Sequence, residues 1–195
     1  MALRAEAAHE EGRKGVFLTK RWLESTTHLT LSYDAYDMAA DCSVTCLDGS
    51  SQTFDLRGRF HSPKRGLFVE NKSYTGVGGQ PDQFQDFLAI SYSATATEIA
   101  RTQDPKWEFM WVTTHPFSQS KWSKLTKRSM IRSALENDKT GILGDTPVDE
   151  DLLDLMANRV WLLVLNKRQK DLTLTQSELS KVEAVLKRGS KGEPK

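Results

Sequence analysis

Hydrophobic and polar positions alternate along short runs in the first half of the chain. Residues 52–60 and 66–74 each alternate with a period of two, and a polar segment containing proline and glycine separates them. This pattern is typical of two strands joined by a hairpin turn. The run 43–47 alternates as well, and an Asp-Gly pair, which favours tight hairpin turns, follows it. We therefore predict a three-strand meander over 43–47, 52–60 and 66–74.

Other segments repeat their apolar positions with the period of a helix. Residues 2–25 carry an apolar stripe formed by Val16, Leu18, Trp22 and Leu23. The remaining predicted helices cover 82–99, 117–137, 148–158 and 175–187, the last opening with a capping box of Thr175 and Glu178.

Two nearly continuous apolar runs, Trp107–Thr114 and Val160–Leu165, predict strands buried on both faces. Residues 26–42 are ambiguous, because 28–33 alternates like a short strand and 34–41 resembles a connecting loop. The order helix, meander, helix, buried strand, helix, strand, helix predicts an α/β/α sandwich with a mixed central sheet.

Size and composition fit one globular domain. The chain has 195 residues, 38% of them hydrophobic and 27% charged, which is ordinary for a globular protein. We predict a single domain over 1–187 and a disordered polar tail over 188–195. The net charge of +1 gives no global basic field, so any sign of a nucleic-acid partner must come from local clusters.

The sequence favours a cytoplasmic protein without a membrane span. Its longest apolar runs are too short to cross a bilayer, and the first 15 residues lack the apolar core of a secretory signal. Cys42 and Cys46 have no second Cys/His pair to complete a zinc site. We interpret both as buried thiols in a reducing compartment.

Three charged residues of the predicted hairpin share one small area. Glu70 and Lys72 lie two residues apart on one strand, so their side chains point to the same face, about 6–7 Å apart along it. If the hairpin pairs, Asp55 lies beside Glu70. Two neighbouring carboxylates are unfavourable unless a positive charge offsets them, and Mg²⁺ prefers such oxygen ligands. The alternative is a solvated hairpin face with a surface ion pair.

These residues also resemble a known family. Asp55 followed by Glu70-Asn71-Lys72 resembles the motif of the PD-(D/E)XK nuclease superfamily, over residues 43–114. Phe54 stands where that motif often has proline. The segment from Gln83 to Phe87 resembles the Q-x-x-x-Y helix motif of the RecB-like branch, with Phe87 in the tyrosine position.

The resemblance implies a restriction-endonuclease-like fold and roles for particular residues. It implies that Asp55 and Glu70 bind Mg²⁺, for which Mn²⁺ can substitute, and that Lys72 orients the attacking water. It implies that Gln83 helps to place the metal site and the DNA backbone. In several branches of the family an N-terminal helix donates a glutamate to the metal. Glu11 and Glu24 are the candidates here, and a solvated helix glutamate is the alternative for each.

A basic segment is the local candidate for phosphate contacts. No acidic residue occurs among residues 118–135. If 117–137 is one helix, four of its basic residues share a face: Lys121, Lys124, Arg128 and Arg132. Such a stripe can track a phosphate backbone, although a solvated face is the alternative.

Taken with the resemblance, the sequence predicts a Mg²⁺-dependent deoxyribonuclease. Its partner would be DNA, and the resemblance allows a homodimer or a larger nucleic-acid-processing complex. A role in defence against foreign DNA or in a mobile element is implied only at the level of the family. Two alternatives from other classes are a non-catalytic nucleic-acid-binding module with the same fold and a structural or assembly subunit.

Overall fold

The computed structural model describes residues 2–74, 76, 78–103 and 106–188, with side chains from residue 10 onward except that of Lys167. Its α-helices are α1 (Ala2–Ser25), α2 (Gln80–Thr102), α3 (Arg128–Glu136), α4 (Glu150–Ala157) and α5 (Gln176–Leu186). Its strands are β1 (Leu29–Asp34), β2 (Ser43–Thr45), β3 (Ser51–Thr53), β4 (Leu56–Phe60), β5 (Gly66–Lys72), β6 (Trp107–Thr113) and β7 (Val160–Val164). Two 3₁₀ helices cover Gln119–Lys124 and Lys167–Leu172.

The central sheet is mixed, as predicted. It has five strands in the order β1-β4-β5-β6-β7, with antiparallel pairing from β1 to β5 and parallel pairing from β5 to β7. Alternate residues of β5 enter two separate apolar cores. Val69 packs on the side of α1, and Phe68 packs on the side of α2, α3 and α4. The chain therefore folds as an α/β/α sandwich.

The predicted meander is wrong in one respect, because the run 52–60 is two strands that belong to different sheets. β3 pairs with β2 in a separate hairpin, whereas β4 pairs with β1, so the ambiguous segment 28–33 supplies a strand. The break falls at Phe54, whose buried ring lies 5.2 Å from that of Phe68 and 5.5 Å from that of Phe109, measured between centroids. Alternation continues through the break, so the sequence pattern does not reveal the change of partner.

The chain segment that contains the β2–β3 hairpin leaves the central sheet after β1 and returns to it at the same point before β4. The Ala35 N–H donates to the Asp55 carbonyl at 2.9 Å, so residues 36–54 begin and end side by side. The turn at the far end contains Gly49, whose φ of 82° suits glycine. The two ends meet beside the first residue of the candidate site.

The continuous helix predicted for 117–137 is also wrong. A 3₁₀ helix ends at Lys124, Lys127 has an extended backbone, and α3 begins at Arg128. Phe117 and Leu125 are buried in the α2-side core, which turns this segment inward before α3 starts. The capping box of Thr175 and Glu178 is present at the start of α5.

The end of the described chain is held against the end of α1. Arg188 donates to the carbonyl and to the hydroxyl of Thr27, at 3.1 and 2.9 Å. The rest of the tail predicted to be disordered, 189–195, lies outside the described residues. Across the described helices, none combines the length and the apolar character that a membrane crossing requires.

Candidate active site

The pairing of β4 with β5 brings the predicted carboxylates together. Leu56 lies opposite Val69 in the antiparallel register, so the preceding residue, Asp55, falls beside Glu70. The Asn71 N–H donates to Asp55 Oδ2 at 2.7 Å, which fixes this carboxylate against the end of β5. Phe54 anchors Asp55 from the other side, because its ring is buried in the core.

Side-chain alternation along β5 places Glu70 and Lys72 on one face of the sheet and Asn71 on the other. Glu70 and Lys72 share the α2 side, and Lys72 Nζ lies 2.7 Å from Glu70 Oε1. The same ammonium lies 5.8 Å from the ring centroid of Trp111, on the neighbouring strand β6. Asn71 points the other way and accepts a hydrogen bond from the Thr19 hydroxyl of α1 at 2.7 Å. Both helical layers therefore support the end of β5.

The electrostatics of the carboxylate pair are unfavourable without a further cation. Burial raises the pKa of Glu70 to about 7, and the negative charge of Asp55 adds to this, although Lys72 opposes it. Burial also raises the pKa of Asp55, against the hydrogen bond from Asn71 and the attraction of Lys72. For Lys72, burial acts to lower the pKa, but the two carboxylates outweigh it and the net shift is upward.

The donor set fits a magnesium ion. Mg²⁺ commonly binds through one or two carboxylates, with water and substrate phosphate completing its shell. A divalent cation would also keep both buried carboxylates ionised. Within the described part of the chain, no three His, Cys, Asp or Glu side chains converge as a metal site, so an ion held by Asp55 and Glu70 would take its remaining ligands from water or phosphate.

The two glutamates of α1 make other contacts. Glu11 forms an ion pair with Lys14 at 3.6 Å, one helical turn away, and both side chains are 63% exposed. Glu24 accepts a hydrogen bond from the Leu31 N–H at 2.9 Å, and burial raises its pKa. Neither contact involves Asp55 or Glu70, so a metal role for Glu11 stays a prediction.

A cleft of about 260 Å³ opens in front of Glu70 and Lys72. Helix α2 forms one wall and the β2–β3 hairpin forms another. The lining residues are Gln52, Thr53, Phe54, Glu70, Lys72, Gln83, Asp86, Phe87, Ile90 and Trp111. Gln83 therefore lines the same cleft as Glu70 and Lys72, and its role toward a metal or DNA stays a prediction.

Sequence reasoning missed several of these contributors. Gln52 and Thr53 reach the cleft because β3 belongs to the separate hairpin, which alternation alone does not show. Asp86 follows Gln83 by almost one helical turn, a spacing that could have placed it on the same face. Tyr74 carries no local signal, yet its hydroxyl donates to Gln83 Oε1 at 2.6 Å.

The four basic residues do not form the predicted helical stripe. Lys121 and Lys124 lie on the 3₁₀ helix, whereas Arg128 and Arg132 lie on α3. Both arginines form ion pairs with Glu150 of α4, and Arg128 also pairs with Asp154 at 2.7 Å. Two of the four charges are thus offset by acids that follow later in the sequence. Contact of these residues with DNA stays a prediction.

No family model matches this chain, and no curated protein does either. Two solved structures resemble it distantly. One is the Moraxella osloensis Cap4 SAVED/CARF-domain containing receptor, at 15% identity and a TM-score of 0.35 over 90% of this chain. The other is the Acinetobacter baumannii Cap4 SAVED/CARF-domain containing receptor with the cyclic trinucleotide 2'3'3'-cAAA, at 12% identity and a TM-score of 0.37 over 89% of this chain. The chain spans 37% and 35% of the length of these proteins.

Proposed function

We propose that this protein is a Mg²⁺-dependent nuclease that hydrolyses DNA phosphodiester bonds. One observation carries the proposal. Two half-buried carboxylates, Asp55 and Glu70, lie on neighbouring strands in paired positions, and the Lys72 ammonium is 2.7 Å from Glu70. Glu70 and Lys72 line the cleft, and Asp55 lies directly behind its wall residue Phe54 in the sequence. The preference for DNA comes from the resemblance of these residues to the PD-(D/E)XK superfamily.

Each residue then has a distinct task. Asp55 and Glu70 would hold Mg²⁺ with their carboxylate oxygens, and the bound ion would lower the pKa of a water and offset charge on the transferring phosphoryl group. Lys72 does not bind the cation. Its ammonium would orient the attacking water and stabilise the charge that develops on the phosphate oxygens. A cation–π contact with the Trp111 ring helps to hold this ammonium in place.

We propose a reducing, cytoplasmic setting for this activity. Cys42 and Cys46 are both buried and both free thiols, which supports a compartment in which disulfides are not maintained. The burial of Cys42 raises the pKa of its thiol to about 11, so it is a poor nucleophile and a structural residue.

The test separates metal binding from chemistry. Calorimetric Mn²⁺ titration and nicking of supercoiled plasmid would be measured for the wild type, Asp55→Ala and Lys72→Ala. The Asp55 variant should lose Mn²⁺ affinity and cleavage together. The Lys72 variant should lose about 10²–10³ in rate, as expected when a stabilising group is removed from the transition state. It should keep or increase its metal affinity, because a neighbouring positive charge is gone.

Arg101→Ala is the matched control, since it removes the cation of an exposed ion pair with Glu98 in the last turn of α2. It should cut as the wild type does. Cleavage that persists in EDTA, or an Asp55 variant that binds Mn²⁺ as tightly as the wild type, would contradict the assigned roles. DNA binding without any cleavage by the wild type would favour the non-catalytic binding module instead.

A further inference from the structure

Gln80 and Gln83, at the start of α2, have different hydrogen-bond environments. The amide of Gln80 is completely buried and fully used. Its Oε1 accepts from the Thr113 hydroxyl at 2.6 Å, and its Nε2 donates to the carbonyls of Gly76 and His115. Gln80 therefore fastens the start of α2 to the end of β6 and has no group left for a ligand.

In the Gln83 amide, only the oxygen has a hydrogen-bond partner among the described residues. Its Oε1 accepts a hydrogen bond from the Tyr74 hydroxyl at 2.6 Å. Among the residues described in the structure, nothing accepts a hydrogen bond from its Nε2. The amide is planar, with Oε1 and Nε2 on opposite sides of the Cγ–Cδ bond, so an Oε1 held by the phenol directs the two N–H donors away from Tyr74. The side chain lines the cleft that holds Glu70 and Lys72.

Tyr74 is itself held by the end of the sheet. The Thr114 hydroxyl donates to the Tyr74 carbonyl at 2.6 Å, and the Thr114 N–H donates to the Lys72 carbonyl at 3.1 Å. The phenol is thus attached to the strand that carries Glu70 and Lys72, two residues after Lys72. Phe87, one helical turn after Gln83, is buried and offers no hydroxyl, so Tyr74 is the phenol that reaches this amide.

We infer that Tyr74 is a positioning residue that turns the Gln83 amide so that its N–H groups face a substrate phosphate in the cleft. The inference rests on the proposed nuclease function. An amide oxygen turned toward the phosphate would repel it, whereas two N–H donors attract it. Without the phenol the amide can rotate by half a turn at little cost, and the donors would face the phosphate only part of the time.

The test is a double-mutant cycle on cleavage of a short fluorescent DNA duplex. Tyr74→Phe should lower kcat/KM about two- to tenfold, the net value of one hydrogen bond. Gln83→Ala should lower it about tenfold to a hundredfold, as for other groups that support a metal site. The double variant should be no slower than Gln83→Ala, because Tyr74 acts only through that amide. Gln83→Glu should be slower than Gln83→Ala, because it places a negative charge at the phosphate.

Controls separate positioning from a general loss of structure. Tyr33→Phe removes a hydroxyl from another tyrosine, and Gln85→Ala removes an amide from the same helix outside the cleft. Both should cut at the wild-type rate. The exposed Tyr74–Gln83 bond should contribute little to folding, so the thermal midpoints of Tyr74→Phe and Gln83→Ala should match the wild type. DNA affinity, measured by anisotropy with chemistry blocked by Lys72→Ala, should show the same coupling.

The outcomes are distinguishable. If the wild type cuts DNA and Tyr74→Phe cuts equally well, or if the losses of the two single variants multiply, the positioning role of Tyr74 is wrong and the proposed function stands. A wild-type chain that neither cuts nor binds DNA would overturn the proposed function and this role together.

Discussion

Replacing Glu70 by glutamine should stabilise the metal-free protein at neutral and alkaline pH. In the folded chain the pKa of Glu70 is near 7, against an ordinary value of 4.5, because the carboxylate is buried beside Asp55. The folded state therefore binds the Glu70 proton more tightly than the unfolded state does. The stabilisation that comes from this tighter proton binding is fully present below pH 4.5 and is lost as the pH rises toward 7.

The size of the effect follows from the shift. A difference of about 2.5 pKa units corresponds to about 3 kcal/mol of folding free energy at pH 8. Glutamine resembles the protonated acid in shape and charge, so Glu70→Gln should escape this penalty. Urea denaturation in EDTA should show the variant about 3 kcal/mol more stable at pH 8 and equal to the wild type near pH 4.

Added Mg²⁺ should reduce the difference in stability between Glu70→Gln and the wild type. A ligand that binds only the folded state stabilises it by mass action. Mg²⁺ at about 10 mM, in excess over a weak site, should therefore raise the urea midpoint of the wild type at pH 8 and leave that of Glu70→Gln nearly unchanged. Glu98→Gln, which alters the exposed ion pair with Arg101, is the control and should show neither effect. A difference between Glu70→Gln and wild type that does not vary with pH would refute the idea that burial penalises this carboxylate.

Three further predictions concern the basic residues of the sequence and the anchor of Asp55. Lys121→Ala with Lys124→Ala should flatten the dependence of log affinity on log salt for duplex DNA by about 2 units; an unchanged slope would mean that these lysines are merely solvated. Arg128→Ala should instead lower the thermal midpoint through loss of its ion pairs with Glu150 and Asp154. Phe54→Ala should cost about 3–5 kcal/mol of stability, as for other buried aromatics, and should weaken Mn²⁺ binding because Asp55 loses its anchor. Equal loss of stability with unchanged Mn²⁺ affinity would show that Asp55 is held by Asn71 alone.

The sequence predicts those parts of the site that depend on local periodicity. Alternation along 66–74 correctly places Phe68, Glu70 and Lys72 on one face and Val69 and Asn71 on the other. The same local rule cannot show which strand pairs with which. For that reason the break at Phe54 and the assignment of β3 to a separate hairpin were not foreseen.

Contacts between distant segments are the second gap. The sequence segment 118–135, which contains Arg128 and Arg132, has no acidic residue, but the fold brings Glu150 and Asp154 into ion pairs with these arginines. Tyr74 reaches Gln83 only because the strand and the helix meet at the cleft. Such pairings depend on tertiary packing, so the residue types alone do not predict them.

The closed excursion between β1 and β4 has a consequence for how this protein could change over evolutionary time. Residues 36–54 depart and return at the Ala35–Asp55 hydrogen bond, so their length is uncoupled from the register of the strands that carry the carboxylates. The entropy of closing a loop grows slowly, by about 0.6 kcal/mol per doubling of its length. Extension at the Gly49 turn would thus be cheap, provided Phe54 stays buried, and it would reshape one wall of the cleft. If the proposed function holds, substrate choice can diversify at this hairpin while the carboxylate pair is inherited intact.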